Sequence, residues 1–80
     1  MNNTEKLNSA LERVLGVQPG QLDDNADKRS VPNWDSFAGL MLIAELEKEF
    51  GVQFSIAEVD MMQTLGGIKK CLTAHGIDFV

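Results

Sequence analysis

Leu7, Leu11, Val14 and Leu15 recur at the spacing that lays an apolar stripe along one side of a helix, and they predict a helix from Thr4 to Leu15 with Gly16 as its stop. From Val17 to Asp35 the periodicity disappears. Pro19-Gly20, Asp23-Asp24-Asn25 and Val31-Pro32-Asn33 are turn formers. A connection this long is uncommon in a compact domain unless it carries function. Val17, Leu22, Val31 and Trp34 are scattered through it, and they are expected to pin the loop onto the helices.

The second predicted helix has Asp35 as N-cap, runs through SFAGLMLIAELEKEF to Phe50 and stops at Gly51. Its apolar residues form two groups. At about 100° per residue, Gly39, Ile43, Leu46 and Phe50 fall on one side with Leu40 and Leu42 flanking them, and this side is assigned to the core. Phe37, Met41 and Ala44 fall toward the side that holds Glu45 and Lys48. After Gly51, Ser55 followed by Glu58 is a capping box and predicts a short third helix over roughly Ile56–Asp60. Thr64 caps a last helix containing Leu65, Ile68, Cys71 and Leu72, which Gly76 stops. Gly66 and Gly67 each weaken its first turn by about 1 kcal/mol relative to Ala, so tertiary packing must hold that turn. Ile77, Phe79 and Val80 form an apolar tail able to fold back. The expected architecture is an all-α four-helix bundle, with three main helices, one short helix and a long first loop, in a single domain spanning residues 1–80.

Composition narrows the function. With 44% hydrophobic and 24% charged residues the chain is globular in character, and no apolar run approaches the ~20 residues of a membrane span. The N-terminal residues lack the basic and then continuously apolar pattern of a signal peptide, so a cytoplasmic location is expected. A single cysteine, Cys71, excludes an intramolecular disulfide. A net charge of −5 argues against nucleic acid and favours basic partners. Glu45, Glu47 and Glu49, opposed only by Lys48, are expected to make one surface strongly negative.

The chemistry concentrates at Asn33-Trp34-Asp35-Ser36-Phe37, where a hydroxyl follows an acidic residue at the first turn of a helix. Free N–H groups and the helix dipole favour an anion there. A phosphodiester built on Ser36 sits beside those donors, with Phe37, Met41 and Ala44 offering apolar contact one to two turns along.

These residues resemble the carrier proteins of fatty acid, polyketide and non-ribosomal peptide synthesis, whose attachment motif is Asp-Ser-Leu at the start of the second helix. Here it reads Asp35-Ser36-Phe37, and the downstream LMLIAELEKEFGVQFSIAEV is similar to the family's second and third helices. Leu22-Asp23-Asp24-Asn25-Ala26 resembles its first loop. The resemblance implies that a phosphopantetheinyl transferase moves 4'-phosphopantetheine from coenzyme A onto Ser36. The terminal thiol then holds an acyl or aminoacyl group as a thioester, supplied by a loading ligase or transferase and used by downstream biosynthetic enzymes. It implies no catalysis by the chain itself, a monomer, and recognition of partners through Asp35, Phe37, Met41, Ala44, Glu45, Glu47 and Lys48. Ala38 and Met41 stand where fatty-acid carriers commonly have acidic residues, which points to a specialised polyketide, non-ribosomal peptide or surface-polymer pathway.

Blander readings stand beside these. Phe37 fits the core as well as an interface, and Trp34 fits a loop anchor better than a partner contact. Cys71 reads as a buried thiol, and His75 as a cation at a helix C-terminus. No nucleophile–base pair or metal-ligand cluster is visible. The alternative to a carrier is an unmodified helical interaction module that uses the apolar patch of the second helix.

Overall fold

In the computed structural model, which describes residues 2–18 and 22–79, the helices are α1 (Asn3–Leu15), α2 (Ser36–Phe50), α3 (Ile56–Met61) and α4 (Leu65–Ala74). No strand occurs among the described residues. The Pro19-Gly20 turn former and the last tail residue, Val80, lie outside them. Each helix begins at a side chain that satisfies one of its unpaired first-turn N–H groups: Asn2, Asp35, Ser55 and Thr64. α1 starts one residue before the apolar spacing indicates, because the Asn2 side chain accepts from the Glu5 N–H at 2.8 Å. Gly16 and Gly51 close α1 and α2 in the left-handed conformation, with φ of 69° and 64°.

The core joins Leu7, Ala10, Leu11 and Leu15 of α1 to Ala38, Leu42 and Leu46 of α2 and to Leu65, Ile68, Cys71 and Leu72 of α4. The buried line of α2 is therefore turned from the one its apolar residues indicated. Gly39, Ile43 and Phe50 are half-buried, and Leu40, expected on the core flank, is 63% exposed. Two ion pairs accompany this rotation. Arg13 of α1 reaches Glu45 at 2.9 Å and Glu49 at 3.8 Å, which holds the acidic edge of α2 against α1. Periodicity alone does not reveal that contact, because α2 is apolar around most of its circumference.

The long loop is docked onto the bundle. Ala26, Val31 and Trp34 are buried, and Val17 and Leu22 pack against the core. Its backbone also completes α4: Leu65 N–H donates to Ala26 C=O at 3.0 Å and Gly66 N–H to Asp24 C=O at 2.9 Å. The Lys69 ammonium reaches Asp24 at 2.9 Å. This contact explains the paired glycines. A Cβ on Gly66 would stand 3.1 Å from the Asp24 carbonyl oxygen, and one on Gly67 would overlap the Met61 carbonyl oxygen. The propensity lost in the first turn of α4 is exchanged for close backbone approach on two sides.

α3 is held at its N-terminal end. The Ser55–Glu58 capping box forms in full, with bonds of 2.9 and 3.2 Å. Glu58 also receives His75 Nε2 at 2.7 Å, and the His75 ring meets Phe54 edge-on at 5.2 Å between centroids. The tail folds back as expected, with Phe79 edge-on to Phe50 and the Asn3 side chain donating to Asp78 C=O at 3.0 Å.

Leu46 is completely buried. Leu46→Ala should cost about 2–5 kcal/mol through lost burial and the cavity left behind, measured by denaturant unfolding. Unchanged unfolding would mean the core face is misassigned. The backbone N–H of Ser55 is the largest cause holding the Glu58 carboxyl below its ordinary value of 4.5, with His75 contributing. A depressed folded-state pKa gives stability that is present above 4.5 and lost as the pH falls through the folded value. Unfolding measured from pH 6 down to 3 should show this loss, and Glu58→Gln should flatten it.

Candidate functional site

The local chain geometry at the end of the loop decides what Ser36 presents. Val31 and Trp34 are buried, and Trp34 N–H donates to Val31 C=O at 3.0 Å, so the loop closes a turn just before Asp35. The Asn33 side chain ties the same turn to the end of α1 by donating to Leu15 C=O at 3.1 Å. Asp35 then caps α2, its Oδ1 accepting from Ala38 N–H at 2.8 Å while its carbonyl accepts from Gly39 N–H at 2.8 Å. Ser36 is left as the first helical residue, exposed, with its hydroxyl outside any hydrogen bond found among the described residues.

The N–H groups of Ser36 and Phe37 likewise have no acceptor among the described residues. They are the two first-turn donors that the Asp35 cap leaves over, and they suit an anionic group bonded to the Ser36 oxygen. The other serines are placed differently. Ser30 Oγ accepts from Asp27 N–H, Ser55 Oγ caps α3, and Ser9 is half-buried in the middle of α1.

Beside Ser36 a groove of about 210 Å³ opens between α2 and α3. Ser36, Gly39, Leu40 and Ile43 form one wall, Val59 and Met62 the other, and Trp34 closes one end, with Lys28, Asp35 and Gln63 also on the lining. A small exposed nucleophile, two free donors and an apolar groove thus share one end of the molecule. This arrangement fits a phosphodiester on Ser36 that continues into a long, mostly uncharged arm.

Of the residues proposed for partner recognition, Phe37, Met41, Ala44 and Lys48 come together as an exposed stripe of α2. Phe37 is 71% and Met41 45% exposed, which takes Phe37 out of the core. Leu40 joins them, and Ile56 and Met61 of α3 are exposed as well. Glu45 and Glu47 are differently engaged: Glu45 pairs with Arg13, and Glu47 Oε2 accepts from Phe54 N–H at 2.9 Å. The negative charge expected from Glu45, Glu47 and Glu49 is partly offset by Arg13, which lies between Glu45 and Glu49, while Glu47 keeps its charge and accepts a backbone N–H. Val59 and Met62 are groove residues that the sequence pattern did not single out, and Trp34, expected as a loop anchor, is buried and also lines the groove.

Burial, and then the charge of Glu58, push the Cys71 thiol above its ordinary range, away from the thiolate a nucleophile requires. Among the described residues no group of three or more His, Cys, Asp or Glu side chains is placed to hold a metal ion. No helix among them is long and apolar enough to cross a membrane.

Comparison with known proteins agrees with this geometry. The family model described as the phosphopantetheine attachment site matches residues 5–72. The polyketide-8 synthase acyl carrier protein 2 of Streptomyces avermitilis is 31% identical over 70 residues, covering 88% of this chain and 80% of that protein. A solved structure described as an acyl carrier protein from Mycobacterium tuberculosis superposes with a TM-score of 0.76 at 25% identity, covering 90% of this chain and 96% of that one.

The cap is the local device that sets the Ser36 backbone. Asp35→Ala should cost about 0.5–2 kcal/mol in denaturant unfolding, while Asp35→Asn, which keeps an acceptor, should lose only a fraction of that. Equal losses in the two variants would show that the charge of Asp35 and not its capping bond matters.

Proposed function

Because the chain belongs to the phosphopantetheine attachment-site family and is an acyl carrier protein, we propose that Ser36 is the residue bearing its 4'-phosphopantetheine. The observation that carries this assignment is the exposed, uncommitted Ser36 hydroxyl at the head of α2, next to two N–H groups without acceptors. When bound, the prosthetic group supplies a terminal thiol on which an acyl or aminoacyl cargo is held as a thioester. The protein's own residues then present and shelter that arm. The Ser36 and Phe37 N–H groups face the phosphodiester, and the groove between α2 and α3 offers apolar walls to the remainder of the arm.

The chain carries out no chemistry on its cargo and depends on partners for each step. A phosphopantetheinyl transferase uses coenzyme A to modify Ser36 with Asp35 as part of its recognition motif, and a loading ligase or transferase supplies the acyl or aminoacyl group. Downstream enzymes receive it. Phe37, Leu40, Met41, Ala44 and Lys48 are the docking stripe, and its apolar character is supported by their shared exposure. Glu45 and Glu47 contribute the remaining negative charge at its edge. The specialised-pathway reading is supported by the likeness to a polyketide synthase carrier and by a first turn of α2 without acidic side chains; within it the chain acts as a cytoplasmic, monomeric, single-domain carrier.

Incubation of the unmodified protein with coenzyme A, magnesium and a broad-specificity transferase should add the mass of one phosphopantetheine. Ser36→Ala should abolish that gain with the helical content and unfolding midpoint unchanged. A folded wild-type protein that gains nothing would favour an unmodified interaction module, in which Ser36→Ala leaves partner binding intact.

A further inference from the structure

Trp34 is only 3% exposed, yet its indole N–H donates to no acceptor among the described residues. No side-chain nitrogen that lacks a partner is sealed from solvent among those residues, so this donor opens onto the space beside it. That space is the groove that runs from Ser36. The indole's Nε1 and Cδ1 edge faces Gly39, at 3.6 and 3.9 Å from where a Cβ would stand, and both residues line the groove. Gln63, the side-chain amide on the lining, already donates to Val59 C=O at 3.3 Å. The Asp35 carboxylate is occupied as the α2 cap. Lys28 also lines the groove, its ammonium on a long flexible side chain, whereas the indole N–H, beside Ile43, Leu40, Val59 and Met62, belongs to a buried ring and has no acceptor among the described residues.

An indole N–H on the wall of this groove is left to solvent while no acceptor among the described residues meets it, and an acceptor that arrives on its own apolar chain replaces that water while its chain covers the apolar walls. Resting on the assignment of Ser36, we propose that the Trp34 indole N–H hydrogen-bonds a carbonyl oxygen carried by the group attached to Ser36. It acts as a positioning residue that sets how the arm lies between α2 and α3. The acceptor comes either from the arm's own amides or from an oxygen of the cargo, and both present the same chemistry to the indole. A cargo oxygen near the thioester makes the groove selective for oxygenated acyl chains over saturated ones.

The chain has one tryptophan, so its indole N–H gives a single resonance. The experiment follows that resonance in four forms of the full chain: unmodified, phosphopantetheinylated, and loaded with a saturated or a 3-oxo acyl arm of equal length from the corresponding coenzyme A derivatives. Intact mass verifies each form first, so that a failure to modify Ser36 is seen separately from a failure of the indole contact. The expected result is a downfield shift and about fivefold slower solvent exchange of the indole proton. Appearance of both already in the phosphopantetheinylated form assigns the acceptor to the arm. Appearance in either acylated form alone assigns it to the thioester or cargo oxygen. An indole resonance that shifts and exchanges identically in all four mass-verified forms overturns the proposal. Trp34→Phe, which keeps the ring and removes the donor, should reduce severalfold the shifts that modification causes at Leu40, Val59 and Met62. Unreduced shifts in a folded variant would likewise contradict it.

Discussion

The rest of the molecule depends on the docking of the long first loop against the start of α4. A helix begins with N–H groups that have no partner within it, and in α4 two of these are satisfied by the loop carbonyls of Asp24 and Ala26. The same contact buries Ala26 and anchors a segment that otherwise has only turn formers to shape it. With the loop held, Val31 and Trp34 lie in the core and Asn33 ties to the end of α1, next to Asp35, which caps α2 locally. The position of Ser36 is the end of that chain of constraints. The glycines of α4 belong to it too, since Gly66 is what lets the Asp24 carbonyl come close.

Much of this was legible in the residues. The caps at Asp35, Ser55 and Thr64 and the stops at Gly16 and Gly51 are local signals, and local hydrogen-bonding geometry is decided by a few neighbouring side chains. The scattered apolar residues of the loop identified it as docked because a long solvent-exposed connection has no use for Val31 or Trp34. The orientation of α2 was not legible in the same way. Leu40, Ile43, Leu42 and Leu46 are all apolar, and which of them faces inward depends on packing against α1 and α4, with the Arg13 pairs to Glu45 and Glu49 consistent with the orientation found. Such contacts between distant residues leave no periodic trace. The groove was missed for a related reason, since it takes residues from the loop, α2, α3 and the turn after α3.

That rotation also changes how the site meets its surroundings. Acidic side chains that a count of charges would assign to an exposed face are turned toward Arg13 or used to hold the Phe54 backbone, whereas Phe37, Leu40 and Met41 are turned outward. Exposed large apolar residues grouped beside a functional residue are what an interaction surface requires. The net charge of −5 still gives the molecule a negative long-range field, while next to Ser36 the exposed side chains of α2 are mainly apolar.

If Ser36 bears the prosthetic group for the reasons given by its geometry, the fold presents one serine, and only that one, for modification. Fragmentation mass spectrometry of the modified protein locates the added group to a single residue. All of it should be found on Ser36. Attachment at Ser9, Ser30 or Ser55, whose environments are half-buried or hydrogen-bonded, would contradict the assignment.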